Sequence, residues 1–492
     1  TASWLSTSMP SNGRILRWTP PAAPACSGTP AAGTISTANQ TLFSGAFPAN
    51  LVATGSSGDI GITLQWQESP DNTTWTTAVG GSGATTATYT PPAFVGTTIY
   101  YRCNVTCTNS SLSAATTSVS INLCPTFAST ISINGATAVS GTSYPTLTAA
   151  ISDLASCGIT QPTILELTSN YNSSAETFPI TIPAISGASA TNTLTIKPAS
   201  GVTATISGSS ASSALIKIAS KYVTIDGSNT AGGTTRDLTI TNTSTTTPNV
   251  ILIGNSGTST GTALTDVTLK NTILINGVNT SSAVIVANNT SAAGYFNNIT
   301  IQNNSVQKAY IGIFALATVA TGNGSGLLIT GNDLNTSGAN AMTFMGIYVQ
   351  GVDGATVSNN NIGNITTSST VNPTGIWFAT ATNSGSISGN TISTMSYTGT
   401  YTYAPRGIYL TVGTTATSIS VSNNTISDLT SSGTGMTSGI YTTSVNHTIF
   451  NNKISNIKNT NTGGYLANGI FLGSTSTTAN ITLYNNFIFD IL

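Results

Sequence analysis

Between about Val267 and Leu492 one short phrase returns with small changes: IQNNSV, ITGNDL, VSNNNI, ISGNTI, VSNNTI, IFNNKI and LYNNFI. Each copy places an asparagine (Asn304, Asn332, Asn360, Asn390, Asn424, Asn452, Asn486) two residues before an aliphatic side chain (Val306, Leu334, Ile362, Ile392, Ile426, Ile454, Ile488). Consecutive asparagines lie 28, 28, 30, 34, 28 and 34 residues apart. A second phrase is interleaved with the first: Gly312-Ile313-Phe314, Gly346-Ile347-Tyr348, Gly375-Ile376-Trp377, Gly407-Ile408-Tyr409, Gly439-Ile440-Tyr441 and Gly469-Ile470-Phe471. Two interlocked repeats with one shared period confine the chain to a solenoid, in which each unit packs only on its neighbours.

The residue types select the kind of solenoid. Helical repeats need long runs of Ala, Leu, Glu and Lys, whereas these units alternate apolar and polar residues over four to six positions and are built from Ile, Val, Thr, Ser, Asn and Gly. Short strands that recur in one order and sense pair in parallel with their counterparts, roughly 4.8 Å apart. The unit is therefore a coil of a parallel β-helix. The Leu-x-x-Leu-x-Leu frame of leucine-rich repeats is absent.

Only 5% of the 492 residues are charged, and 12 basic side chains balance 13 acidic ones. Such a surface has no field to attract nucleic acid or an anionic membrane, and no apolar run is long enough to span a bilayer. Of the five cysteines, Cys26, Cys103, Cys107 and Cys124 fall early and Cys157 just beyond. There is no Cys-x-x-Cys, and His447 is the sole histidine, so no metal or other cofactor is expected. Disulfides in an exported protein are the reading this usage supports, with one thiol left unpaired or paired outside the chain. Residues 1–25 read as an irregular leader or the end of a preceding module. They begin without Met and carry no apolar signal core, as in a processed start or a cut inside something longer.

Residues 26–124 read as a small β-sandwich, with strands at Ile62–Gln67, Tyr100–Thr106 and Thr117–Asn122 between turn-rich pieces. Trp66 stands where immunoglobulin-like domains bury a tryptophan, and Tyr101 precedes Cys103 at the tyrosine-corner spacing. The runs TLQWQESPDNTTW, ATYT and YYRCNVTC resemble the Ig-like modules of large secreted and surface proteins of Bacteroidota. One departure is that Leu51 to Ala53, where the partner of Cys103 would stand, holds no cysteine. The expected pairing is instead Cys26 with Cys107. In that family such modules are mostly spacers.

Residues 125–162 read as a linker and a helix, Tyr144 to Gly158, with Leu147, Ile151 and Leu154 on one face and Gly158 as its stop. An open β-helix end exposes apolar cross-section and unpaired edges, so this helix is expected to cap it. Cys124 and Cys157 flank the segment and could staple it. From 163 to 492 the chain reads as the β-helix, and because it stops two residues after Asp490, midway through a unit, the native protein is expected to be longer. The helix, LTIKPASG, YVTIDGS and the SNNTIS coils together resemble the right-handed β-helix regions of secreted Bacteroidota proteins and, more distantly, the pectate-lyase-like superfamily. The full expectation is an all-β chain: an Ig-like β-sandwich followed by a right-handed parallel β-helix with an N-terminal capping helix.

Many β-helix relatives cleave acidic polysaccharides, and that chemistry needs clustered carboxylates, with calcium and a base in lyases or a close carboxylate pair in hydrolases. Here Asp226, Asp237, Asp266, Asp333, Asp353, Asp428 and Asp490 fall at different phases of the repeat. The nearest approaches to clusters are Lys217/Lys221/Asp226 and Arg236/Asp237, and both read as surface charges at coil corners. No catalytic residue is assigned, and stability is expected to be independent of divalent ions. The asparagine column reads as a structural ladder of stacked amides. Because side chains alternate along a strand, Ile347 and Val349 share one face and Tyr348 takes the other. Phe314, Tyr348, Trp377, Tyr409, Tyr441 and Phe471 are thus expected outward in one file, a structural ladder that also suits sugar rings.

The resulting expectation is a non-catalytic extracellular surface protein, a rigid stalk or adhesin. Its expected partners are glycans or cell-surface components and the secretion or surface-anchoring machinery, with end-to-end self-association as a further option. The resemblance implies export by a type 9 route. The alternatives are a carbohydrate-active enzyme or glycan-binding module, and a subunit of a surface fibre.

Overall fold

The computed structural model describes residues 25–136, 139, 141–254, 264–287, 296–317, 322–413 and 418–492. Apart from Ala25, the leader lies outside them. The chain divides into two units, Thr1–Cys124 and Pro125–Leu492.

The first unit is a β-sandwich. A three-stranded sheet holds Thr34–Ile35, Leu51–Thr54 and Thr88–Tyr89, and a larger one is centred on Ile99–Cys107 and Ile62–Ser69. Alternation buries Trp66, Tyr101, Cys103 and Val105 between them with Leu51 and Tyr89. Trp66 stacks on Tyr89 at 5.9 Å, and its buried indole N–H donates to the carbonyl of Thr86 at 2.9 Å. Cys26 and Cys107 form a disulfide, Cys124 and Cys157 are also disulfide-bonded, and Cys103 is a buried free thiol.

The second unit is a parallel β-solenoid of three sheets with 13, 10 and 10 strands among the described residues. Each coil crosses a first sheet, turns at the asparagine, crosses a second sheet and then a third. One such coil runs through Thr356–Ser358, Asn361–Thr367 and Thr374–Phe378 before Ser386–Ser388 opens the next. Inward aliphatic residues, such as Val357, Ile362 and Ile376, are fully buried in one continuous core.

The turn explains the double asparagine. The residue before each ladder position takes a left-handed conformation: Asn303 (φ 52°), Gly331 (65°), Asn359 (54°), Gly389 (66°), Asn423 (57°), Asn451 (55°) and Asn485 (54°). Only glycine, and to a lesser degree Asn or Asp, adopts it cheaply. A second left-handed column lies four residues after the ladder, at Lys308, Asn364, Thr394, Asp428, Asn456 and Asp490.

The helix spans Leu147–Cys157 and buries Leu147, Ala150, Ile151 and Leu154 in the solenoid core. Thr146 Oγ1 accepts from the Ala149 N–H at 3.1 Å. The Glu176 carboxylate accepts from the N–H groups of Leu147 and Thr148 at 2.6 and 3.0 Å, placing negative charge at the helix N-terminus.

Two differences from the sequence expectation appear here. Tyr144 lies in a short strand rather than the helix, since Pro145 disfavours helical geometry in the residue before it. The solenoid also begins earlier than residue 163. Thr130–Ile133, within the stretch read as linker, pairs in parallel with Thr163–Leu167. Its alternation rests on Ile131 and Ile133 alone, too short a pattern to stand out.

Candidate functional site

The asparagine column lies inside the solenoid. Asn360 donates from both its backbone N–H and its Nδ2 to Asn390 Oδ1, each at 3.0 Å, and Nδ2 also donates to the Ile329 carbonyl at 3.0 Å. The same set recurs at Asn304, Asn332, Asn390, Asn424 and Asn452, with Asn486 receiving the last pair. Below Asn304 the column ends on Thr272, whose N–H and hydroxyl donate to Asn304 Oδ1 at 3.1 and 2.7 Å. Buried amides satisfied in this way are structural.

The acidic residues are taken up by local geometry. Asp428 and Asp490, contrary to the sequence reading, share one phase of the repeat, and with Asp266 they occupy left-handed positions at φ 58°, 52° and 58°, where Asp is one of the few side chains readily tolerated. Asp226 pairs with Lys270 at 3.2 Å rather than with Lys217, which stands on a strand of the third sheet, or with Lys221, which lies against Tyr222. Arg236 forks onto the carbonyl and Oδ1 of Asn303 at 2.8 and 3.1 Å and lies 3.9 Å from Asp333. Asp237 accepts instead from the Thr235 hydroxyl at 2.6 Å and the Asn229 N–H at 3.0 Å. Neither charge cluster assembles. Among the described residues no group of three or more His, Cys, Asp or Glu side chains converges to hold a metal ion.

The third sheet carries a different kind of surface. Its strands place Ile347, Ile376, Ile408, Val349, Phe378 and Leu410 in the core, fully buried. The intervening side chains, Phe314, Tyr348, Trp377, Tyr409, Tyr441 and Phe471, occupy paired positions on successive strands and are half-buried on the outside. Burial pushes the Tyr348 phenol above its ordinary pKa.

The six rings are organised as three pairs. Phe314 and Tyr348 lie 5.1 Å apart with planes 4° from parallel. Trp377 and Tyr409 are 4.8 Å apart at 33°, and Tyr441 and Phe471 4.7 Å apart at 34°. Between pairs the planes turn nearly perpendicular, 85° from Tyr348 to Trp377 and 82° from Tyr409 to Tyr441. Rings in these arrangements attract one another beyond the area they bury.

Arg406 fills the second break, with its guanidinium carbon 4.1 Å from the Tyr409 ring centre and 4.2 Å from that of Tyr441. Sequence reading missed it, although a signal existed. The residue before the repeated glycine is Ile311, Met345, Thr374, Ser438 or Asn468 in other coils and charged only at Arg406. From Asn249 to Leu472 the third-sheet strands hold no carboxylate and no other charge. The file also begins earlier than the aromatic phrase, since Leu252 and Ile285 occupy its register before Phe314. Trp377 is fixed by a 2.7 Å hydrogen bond from its Nε1 to Thr411 Oγ1 in the next coil. Beside Tyr348, the phenol donates to Gln350 Oε1.

Residues 31–125 match the model of a family described as a domain of unknown function, DUF8696. Among solved structures, a family 28 exopolygalacturonase from Yersinia enterocolitica is similar over 93% of this chain and 99% of its own, at 10% identity and a TM-score of 0.31. No curated protein matches the chain.

Proposed function

We propose that this chain is a non-catalytic extracellular rod, a stalk or adhesive element that holds other surfaces at a distance. The observation that carries the reading is the asparagine ladder. From Asn304 to Asn486 each coil is tied to the next by two amide hydrogen bonds in the interior, beyond the strand pairing, a construction suited to stiffness. Of the aspartates, Asp266, Asp428 and Asp490 stand at left-handed turn positions, and Asp226 and Asp333 lie beside Lys270 and Arg236. The disulfides suit an oxidising compartment. The likeness of the sandwich sequence to modules of secreted Bacteroidota proteins supports export by a type 9 route to the cell surface.

The test is incubation of the purified chain with neutral and acidic polysaccharides, with and without calcium, followed by assays for new reducing ends and for unsaturated products. None is expected. Turnover that is lost on replacing Asp226, Arg236 or Asp333 would overturn the reading.

A further inference from the structure

We infer that Trp377 is the platform of a carbohydrate subsite on the third sheet, taking one pyranose ring of a glycan against its indole. A pyranose offers an apolar C–H face surrounded by hydroxyls, so its site needs an aromatic face with hydrogen-bonding groups at the rim. The file supplies this combination at one place.

Within the file, Trp377 packs one side of its indole against Tyr409 at 4.8 Å and stands at the first perpendicular break, 5.2 Å from Tyr348 and turned 85° from it, so the side toward this break is the one a sugar would take. At the second break the guanidinium of Arg406 lies over both Tyr409 and Tyr441. Among the described residues the cation contacts of the file are those of Arg406 alone, on those two rings. Trp377 is also the largest ring of the six and half-exposed. Its orientation is held by the bond to Thr411, so little side-chain freedom remains to be lost on binding.

The rim is polar on both sides. Gln350 has its Oε1 taken by the Tyr348 phenol, which leaves its amide N–H groups as donors to sugar hydroxyls. Arg406 lies one coil further on, in neither of the ion pairs of the described residues; its Nε is buried, and its terminal guanidinium N–H groups are the donors offered to a second sugar unit. Third-sheet strands without carboxylates do not repel acidic sugars, and stacking itself is indifferent to charge. Neutral and acidic glycans share the same pyranose face, and the experiment separates them.

The intact chain is titrated, by calorimetry and by tryptophan emission, with hexamers of β-1,4-glucose, xylose, mannose and N-acetylglucosamine and of galacturonate. Saturable binding of at least one hexamer is expected. Trp377→Ala should weaken it tenfold or more, Trp377→Phe by less, and Thr411→Val, which releases the indole, by an intermediate amount. Tyr484→Ala, an exposed ring on the first sheet and outside the file, should leave affinity unchanged. Circular dichroism and melting of each variant establish that the fold is kept, and Trp377→Phe keeps the test valid if the alanine variant fails to fold. Absence of binding by every hexamer, unchanged affinity in Trp377→Ala, or equal losses in Trp377→Ala and Tyr484→Ala would each overturn the subsite. The rod reading, which rests on the asparagine ladder and is judged by product release, is untouched by any of these outcomes.

Discussion

Gly346 lies directly against Ile362, so closely that a Cβ on the glycine would come 2.6 Å from Ile362 Cγ2 and 2.6 Å from the carbonyl oxygen of Gly375. The same contact joins Gly375 to Ile392, Gly407 to Ile426 and Gly439 to Ile454. The two repeated phrases of the sequence are thus the two halves of one packing contact, each glycine making room for the isoleucine of the following coil.

Gly375→Ala should therefore destabilise the solenoid by about 1–3 kcal/mol, the usual cost of forcing a methyl group into a filled site. Gly463→Ala is the control, because there the nearest atom to an added Cβ is Asn461 Oδ1 at 3.6 Å, and its effect should stay within about 0.5 kcal/mol. Denaturant unfolding of the two variants makes the comparison.

Asn360→Ala removes the acceptor of two donors on Asn332 and the donors that reach Ile329 and Asn390. Each buried group left unpaired costs roughly 1–3 kcal/mol. Because a solenoid's stability is a sum over neighbouring repeats, the loss should be local. Hydrogen exchange should speed up in the coils around Asn332 to Asn390 while the coils near Thr195 keep their protection. Uniform acceleration along the whole solenoid would contradict this.

His447 faces the core, and burial depresses its pKa from 6.5 to about 4. The folded state thus takes up the proton less readily than the unfolded chain, which favours folding fully above pH 6.5. This contribution is lost as pH falls from 6.5 toward 4, by about 1.4 kcal/mol per unit and roughly 3 kcal/mol in all. Melting temperatures across that window should fall for the parent and much less for His447→Leu.

Cys103 is fully buried, and desolvation pushes its thiol up to about 11. A thiol so protonated and enclosed is unreactive. Alkylation of the native protein should leave it unlabelled for hours, whereas denaturant without reductant should expose one reactive thiol per chain.

The coils were legible in the sequence because their special positions are occupied by nearly invariant residue types. A buried amide must be Asn, a crowded corner must be Gly, and an outward file of rings is visible in a column of letters. The first coil was not, since Thr130–Ile133 carries none of these signs. Nor was the start of the file at Leu252 and Ile285, where aliphatic residues stand outward in the register of aromatic ones. Ring orientation and the placement of Arg406 depend on χ angles and on contacts between coils, which spacing does not encode. The left-handed corners were legible in part: the first Asn of each pair was visible, but its conformational role appeared only from φ.

The amides of the asparagine column all point the same way. Each passes its donors up to the next oxygen, from Thr272 at one end to Asn486 at the other, so the column has a sense as a row of aligned dipoles does. Turning one coil over would set oxygen against oxygen and N–H against N–H. The solenoid can therefore lengthen by copying a unit head to tail but not by apposing two coils face to face, and a duplicated segment such as 360–389 would have to enter in the parent's own direction to rejoin the ladder.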